Sequence, residues 1–158
     1  MGLVISGLDE NFNKLSDRLV TSARTALKDA SAGVIKAIKQ NFDERGSRGG
    51  RLEWEPVPIS WLRRRVTWPA DPSQQGAYIA NHDPLIDTGA LRGSFVFESG
   101  ETGSGNIEGA IESTAGYAED HELGIPEKIR ARPFMWITDD DYLNTEELLI
   151  ESLKRSFN

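Results

Sequence analysis

Cysteine is absent from this sequence, so neither a disulfide nor a thiolate metal site can be built from it. Histidine is nearly absent as well: His82 and His121 are the only 2, too few to point to zinc. No apolar run approaches the ~20 residues that a membrane span needs. The opening MGLVIS has no positive charge, so no secretory signal is expected. Its Gly2 and Ser6 fit a myristoylation pattern, but a short apolar strand over Leu3 to Ile5 explains the same letters, and no polybasic segment follows to supply a second anchor. Basic residues are in the minority, 18 Lys and Arg against 25 Asp and Glu. The formal charge of -7 argues against a dedicated nucleic-acid binder, which carries a basic footprint.

What is present suffices for a core without staples. The 158 residues fit one domain, and 38% hydrophobic with 27% charged composition reads as globular and slightly polar. Charge is unevenly spread. Arg45, Arg48, Arg51, Arg63, Arg64 and Arg65 fall mid-chain, whereas Asp139, Asp140, Asp141, Glu146 and Glu147 crowd the end. Unlike faces of this kind help copies of one protein assemble, and are equally compatible with solvated surface.

Along the chain, Leu8, Phe12, Leu15, Leu19, Ala23, Ala26, Ala30, Val34, Ile38 and Phe42 recur at three- and four-residue steps. That spacing predicts one long amphipathic helix from about Leu8 to Glu44, capped by Ser6 or Gly7, with Gly33 as a weak point where it could kink. From 46 to 81 the periodicity is lost; four prolines and three tryptophans suggest a long irregular insertion, with a short helix possible over Ile59 to Val66. Ser94 to Glu98 and Ile107 to Ser113 read as a hairpin around the connection GETGSGN, with Phe95 and Phe97 on one face. Tyr117 to Leu123 reads as a helical turn closed by Gly124. Arg132 to Ile137 reads as a third strand or extended segment. Asp139 to Asp141 cap a last helix whose inner positions are expected at Leu143, Leu148, Leu149, Leu153 and Phe157. The expected fold class is α+β: a small antiparallel sheet packed with a long N-terminal and a shorter C-terminal helix, in a single domain over 1–158.

Short chemical motifs point in several directions. LIDTGAL, Leu85 to Leu91, presents Asp-Thr-Gly after two aliphatic residues, as a retroviral-type aspartic protease does. Such an enzyme dimerises so that two carboxylates share a proton. An almost wholly β fold goes with that chemistry, and the long helix here does not suit it. HELG at His121 begins like a zinc-protease motif, but the second histidine's position is Ile125. Asp139 to Asp141 could hold a hard cation, although helix capping accounts for them. GETGSG lacks the lysine of a phosphate loop. No catalytic, metal or cofactor residue is therefore assigned, and no enzyme is expected.

Three segments read together are more specific: PLIDTGALRGSF, GYAEDHELG and IRARPFMWIT, in that order. They resemble the phage virion morphogenesis family, the Mu-like and P2-like tail completion proteins, which are related to head-tail joining proteins of long-tailed phages. The N-terminal helix ending near Trp54-Glu55-Pro56 also fits. The chain departs from the usual form over Leu52 to Asn81, where family members often carry a shorter lysine-rich stretch.

The resemblance implies a non-enzymatic virion protein that forms a ring, most often a hexamer, at the head-tail interface. Its partners would be copies of itself, the connector or adaptor, and tail tube or tail terminator proteins. DNA would pass through the channel without sequence-specific binding, and no membrane would be involved. The location would be the virion neck, and the host cytoplasm during assembly. The expected partner contacts are Trp54, Trp61, Arg63, Arg64, Arg65, Trp68, Arg132, Pro133 and Phe134. Asp87 or Thr88 is expected to cap a turn, Gly89 to allow tight backbone packing, and Leu91 to enter the core. Tyr117, Ala118 and Leu123 are expected to pack a turn, closed by Gly124, against the sheet, with His121 between exposure and burial. The alternative function is the Asp-Thr-Gly protease working as a homodimer.

Overall fold

The computed structural model describes residues 8–65, 67–80, 85, 88–102 and 106–157. The expected strand at Leu3 to Ile5, the caps Ser6 and Gly7, His82 and Asp87 lie outside them. Helix α1 spans Leu8–Asp43, close to its expected limits and without a break at Gly33. After a 3-10 turn at Arg48–Gly50 come α2 (Ile59–Leu62), α3 (Pro72–Ala80) and α4 (Ala90–Gly93). Strands β1 (Phe95–Glu101) and β2 (Ile107–Ser113) pair as a two-stranded antiparallel hairpin, followed by α5 (Ala118–Leu123) and α6 (Asp139–Phe157). The architecture is α+β. The segment expected to be irregular holds two helices. Asp71 accepts hydrogen bonds from the backbone and hydroxyl of Ser73 at 2.9 and 2.8 Å, which starts α3. Those bonds hold the Asp71 carboxyl below its usual range.

The chain divides into two compact units, to both of which α1 and the hairpin contribute. One comprises Met1–Val34, Phe97–Ile111 and Asp139–Asn158. Here α6 runs antiparallel to α1. Ser152, 3% exposed, donates its hydroxyl to Asp29 Oδ2 at 2.7 Å, and Arg155 donates to the same oxygen. A methyl group at Gly33 would stand 3.2 Å from Leu148 Cδ1. Gly33 is therefore a point of close helix approach.

The inner face of α6 differs from the expectation. Leu143, Leu148 and Phe157 are 56%, 37% and 49% exposed. Asp141, Thr145, Leu149, Ser152, Leu153 and Ser156 are the sheltered positions. Leu149 and Leu153 are thus sheltered as expected, and Ser152, hydrogen-bonded to Asp29, shares their face. In the hairpin, Phe97 lies over Gly109, where a side chain would meet its ring at 2.5 Å.

The other unit comprises Ile35–Val96 and Glu112–Thr138. Its centre is aromatic. Phe42, fully buried, has ring centroids of Phe134 at 5.1 Å, Trp54 at 5.7 Å and Phe95 at 6.0 Å. Offset and edge contacts of this kind each add about 0.5–1.5 kcal/mol beyond area burial. Leu62, Leu91 and Ala118 are also buried in this unit.

Helix α1 ends because Arg45 and Gly46 turn left-handed, at φ 49° and 80°, and the Gly46 N–H returns to Asn41 O at 2.8 Å. Gly46 is required twice over, since a side chain there would lie 2.3 Å from Trp54 Nε1. Among the described residues the segment Arg132 to Ile137 pairs with no strand, so the third strand, one of its two expected forms, is not formed. Instead, Asn41 Nδ2 donates to the carbonyls of Phe134 and Trp136 at 2.7 and 2.8 Å. Glu122 Oε2 accepts from the amides of Phe134 and Met135 at 2.7 and 3.1 Å. One side-chain clamp on carbonyls and one on amides stand in for a sheet ladder.

Candidate functional site: a cationic, aromatic-walled cavity

The three motif segments meet in the aromatic-centred unit. Leu85, Thr88, Ala90 and Leu91 come from the first, Tyr117 and His121 from the second, and Arg130 and Arg132 from the third. With Val57, Pro58, Trp61 and Arg65 they line a cavity of about 800 Å³. A tight loop closes its side: Ile125 and Ile129 exchange backbone hydrogen bonds at 2.8 and 2.9 Å, with Glu127 held at φ 62°. That loop presents Lys128 and Arg130.

The walls are apolar and aromatic, and the charge is positive. Among the described residues Arg65, Lys128, Arg130 and Arg132 line it, with one carboxylate, Glu127. Arg65 stacks on Trp61, its guanidinium 4.9 Å from the ring centroid. Arg130 is ion-paired with Glu55. The Arg132 amide donates to His121 O at 2.7 Å, while its Nη2 reaches Glu55 O at 3.4 Å. Burial holds the Arg132 guanidinium below its usual range, with a further push from Arg130. Burial also holds His121 below the usual imidazole range; Arg132 adds to this and Asp120 opposes it. Among the described residues, His121 Nδ1 and Arg132 Nε are buried without a hydrogen-bond partner. A buried polar atom left so is costly unless something else satisfies it.

The expected contact residues divide. Trp61, Arg65 and Arg132 line the cavity. Arg63 sits 5.9 Å from the Trp68 ring, which packs edge-on to Tyr78 at 5.4 Å, and Arg64 is exposed. Trp54 and Phe134 are core residues, 7% and 0% exposed, so neither offers surface to a partner. Pro133 is exposed but its carbonyl accepts from Trp54 Nε1 at 3.1 Å.

Among the turn residues, Thr88 Oγ1 accepts from the Ala90 amide at 3.3 Å, a turn just ahead of α4; the N-cap itself is Gly89, which has no side-chain cap, so Thr88 does not fill the expected capping position. Gly89 serves a left-handed turn at φ 73°, and a side chain there would meet nothing within 4 Å; it does not serve tight packing. Gly124, also left-handed, does: a side chain there would stand 2.7 Å from Ala131 N. Leu91 is buried, Tyr117 is edge-on to His121 at 5.9 Å, and Leu123 is 69% exposed, not packed as expected.

Sequence reading missed Lys128, Arg130 and the Ile125–Ile129 loop. The signal was there in EKIRAR, where cations fall close behind the histidine motif. The three tryptophans beside arginines also announced stacking, as Arg51 over Trp136 at 4.4 Å shows again.

Among the described residues no group of three or more His, Asp or Glu could hold a metal ion. No helix among them is long and apolar enough to cross a membrane. Compared with known protein families, with curated proteins and with solved structures, the chain matches none.

Proposed function

We propose that the chain is a structural virion protein of the tail completion, or head-tail joining, type, forming a closed ring of six copies at the neck of a phage particle. The observation that carries this reading is the convergence of the three motif segments. Residues far apart in sequence build one aromatic core and one cavity, and conspicuous members of the segments are spent on packing: Leu91 in the core, Glu122 as a clamp on Phe134 and Met135, Gly124 under Ala131. Motifs used so specify a scaffold, and a scaffold is what a ring subunit has to be.

A closed ring needs a heterologous interface, one face meeting a different face of the next copy. Exposed Tyr142, Leu143, Ile150 and Phe157 on α6 supply apolar surface for such contacts, with connector or tail proteins above and below. The formal charge of -7 suits a channel lining, because a strongly basic lumen would hold DNA phosphates back. The protein would act in the virion and assemble in the host cytoplasm. Electron microscopy of the purified protein at high concentration, and of particles carrying a tagged copy, tests this. Rings of cyclic symmetry at the neck are expected; a monomer or two-fold dimer there refutes it.

A further inference from the structure

The cavity combines features that packing alone does not call for. Among the described residues four cations line it, of which Arg130 is paired with Glu55, against one lining carboxylate, and it is walled by the rings of Trp61 and Tyr117. An anion placed there would lie beside Lys128, Arg130 and Arg132 and weaken the repulsion between the two guanidinium groups. An apolar or aromatic group beside that anion would cover the walls. The matching chemistry is a short acidic segment carrying an aromatic residue.

The chain itself has one. At the start of α6, Asp139 and Asp140 are exposed, and the following Tyr142 and Leu143 are 62% and 56% exposed. We propose that the first turn of α6, Asp139 to Leu143, of one copy docks into the Trp61–Tyr117–Arg132 cavity of the next. This rests on the ring reading and names its interface: an acidic-aromatic plug and a cationic-aromatic socket are unlike faces, as a heterologous contact requires. Apolar walls favour this occupant over a nucleic-acid backbone, which needs a charged groove and offers no side chain to fill a pocket.

Charge reversal tests it on the full-length protein. Lys128→Glu with Arg130→Glu alters the socket, and Asp139→Lys with Asp140→Lys alters the plug; all are surface positions. Sedimentation velocity over a concentration series should show each double variant self-associating at least about tenfold more weakly than wild type. Their mixture should associate again, because each chain then offers a matched pair. Wild-type association should weaken as salt rises. Because the chain lacks cysteine, Lys128→Cys chains mixed with Asp140→Cys chains should cross-link under oxidation, and neither should do so alone.

A wild-type chain that stays monomeric at the highest concentration reached and yields no mixed cross-link overturns the proposal. So do reversals without effect, or a mixture no better than its parts. DNA binding that is lost with the socket variant overturns it too, since the occupant would then be nucleic acid. Failure of the ring reading looks different: a plug-and-socket contact that closes a two-fold dimer leaves the docking standing and removes the ring. A ring indifferent to both reversals does the opposite.

Discussion

Replacing Asn41 with leucine removes a donor shared by two backbone carbonyls. The Asn41 side chain is fully buried, and its Nδ2 bonds Phe134 O in the interior and Trp136 O in a part-buried setting. An acceptor stripped of its partner costs about 2 kcal/mol where buried and about 1 kcal/mol where water can reach it. Against this, Asn41 Oδ1 is itself buried without a partner among the described residues, and deleting it recovers about 1 kcal/mol. The net expectation is a loss of about 2 kcal/mol, with leucine filling nearly the same volume so that no cavity is added.

In urea, that corresponds to a midpoint lowered by about 1 M with an unchanged slope. Asn41→Asp sharpens the test. It removes the same donor and buries a carboxylate against carbonyl oxygens, so its folded-state pKa is raised above the unfolded value. The stability it retains is present in acid and lost as pH rises through that folded value. The aspartate variant should therefore be much weaker than the leucine variant at neutral pH and approach it in mild acid. A leucine variant within about 0.5 kcal/mol of wild type, or an aspartate variant no worse than leucine at neutral pH, would refute the clamp.

Gly46→Ala should cost about 3 kcal/mol, from a left-handed backbone and the displacement of Trp54, read as a lower melting temperature with altered tryptophan fluorescence. Glu122→Ala should lose about 2 kcal/mol as two amides lose a charged acceptor, and Glu122→Gln should restore part of it, both by urea titration. His121 titrates below the ordinary imidazole value, so the unfolded chain binds the extra proton first. Its contribution is complete above the ordinary value and is lost as pH falls through the window below it. A pH series of melting temperatures should show that slope, and His121→Phe should flatten it. An NMR titration placing His121 at or above the ordinary value would contradict the burial argument.

Sequence alone determined what depends on neighbours along the chain. The 3.6-residue period of α1 predicted its limits almost to the residue, because apolar spacing is a local property. The hairpin, the turn closed by Gly124 and the acidic start of α6 were readable for the same reason, although β1 runs on to Glu101 through part of the expected connection. Tertiary structure decided everything that depends on the path of the chain. Asn41 meets Phe134 across 93 positions, a pairing no local pattern encodes. Trp54 and Phe134 looked like surface anchors and became core, because Phe42 and Phe95 came to meet them. On α6 the leucine spacing pointed inward, and Leu149 and Leu153 are sheltered and Leu148 meets Gly33; but Ser152, bonded to Asp29, shares that face, and Leu143 and Phe157 are left exposed. The cavity is likewise a product of convergence. Charge and aromatic content can be counted in a sequence, but whether they enclose a common space depends on loop closure and on which faces pack, and those are settled only when the whole chain has folded.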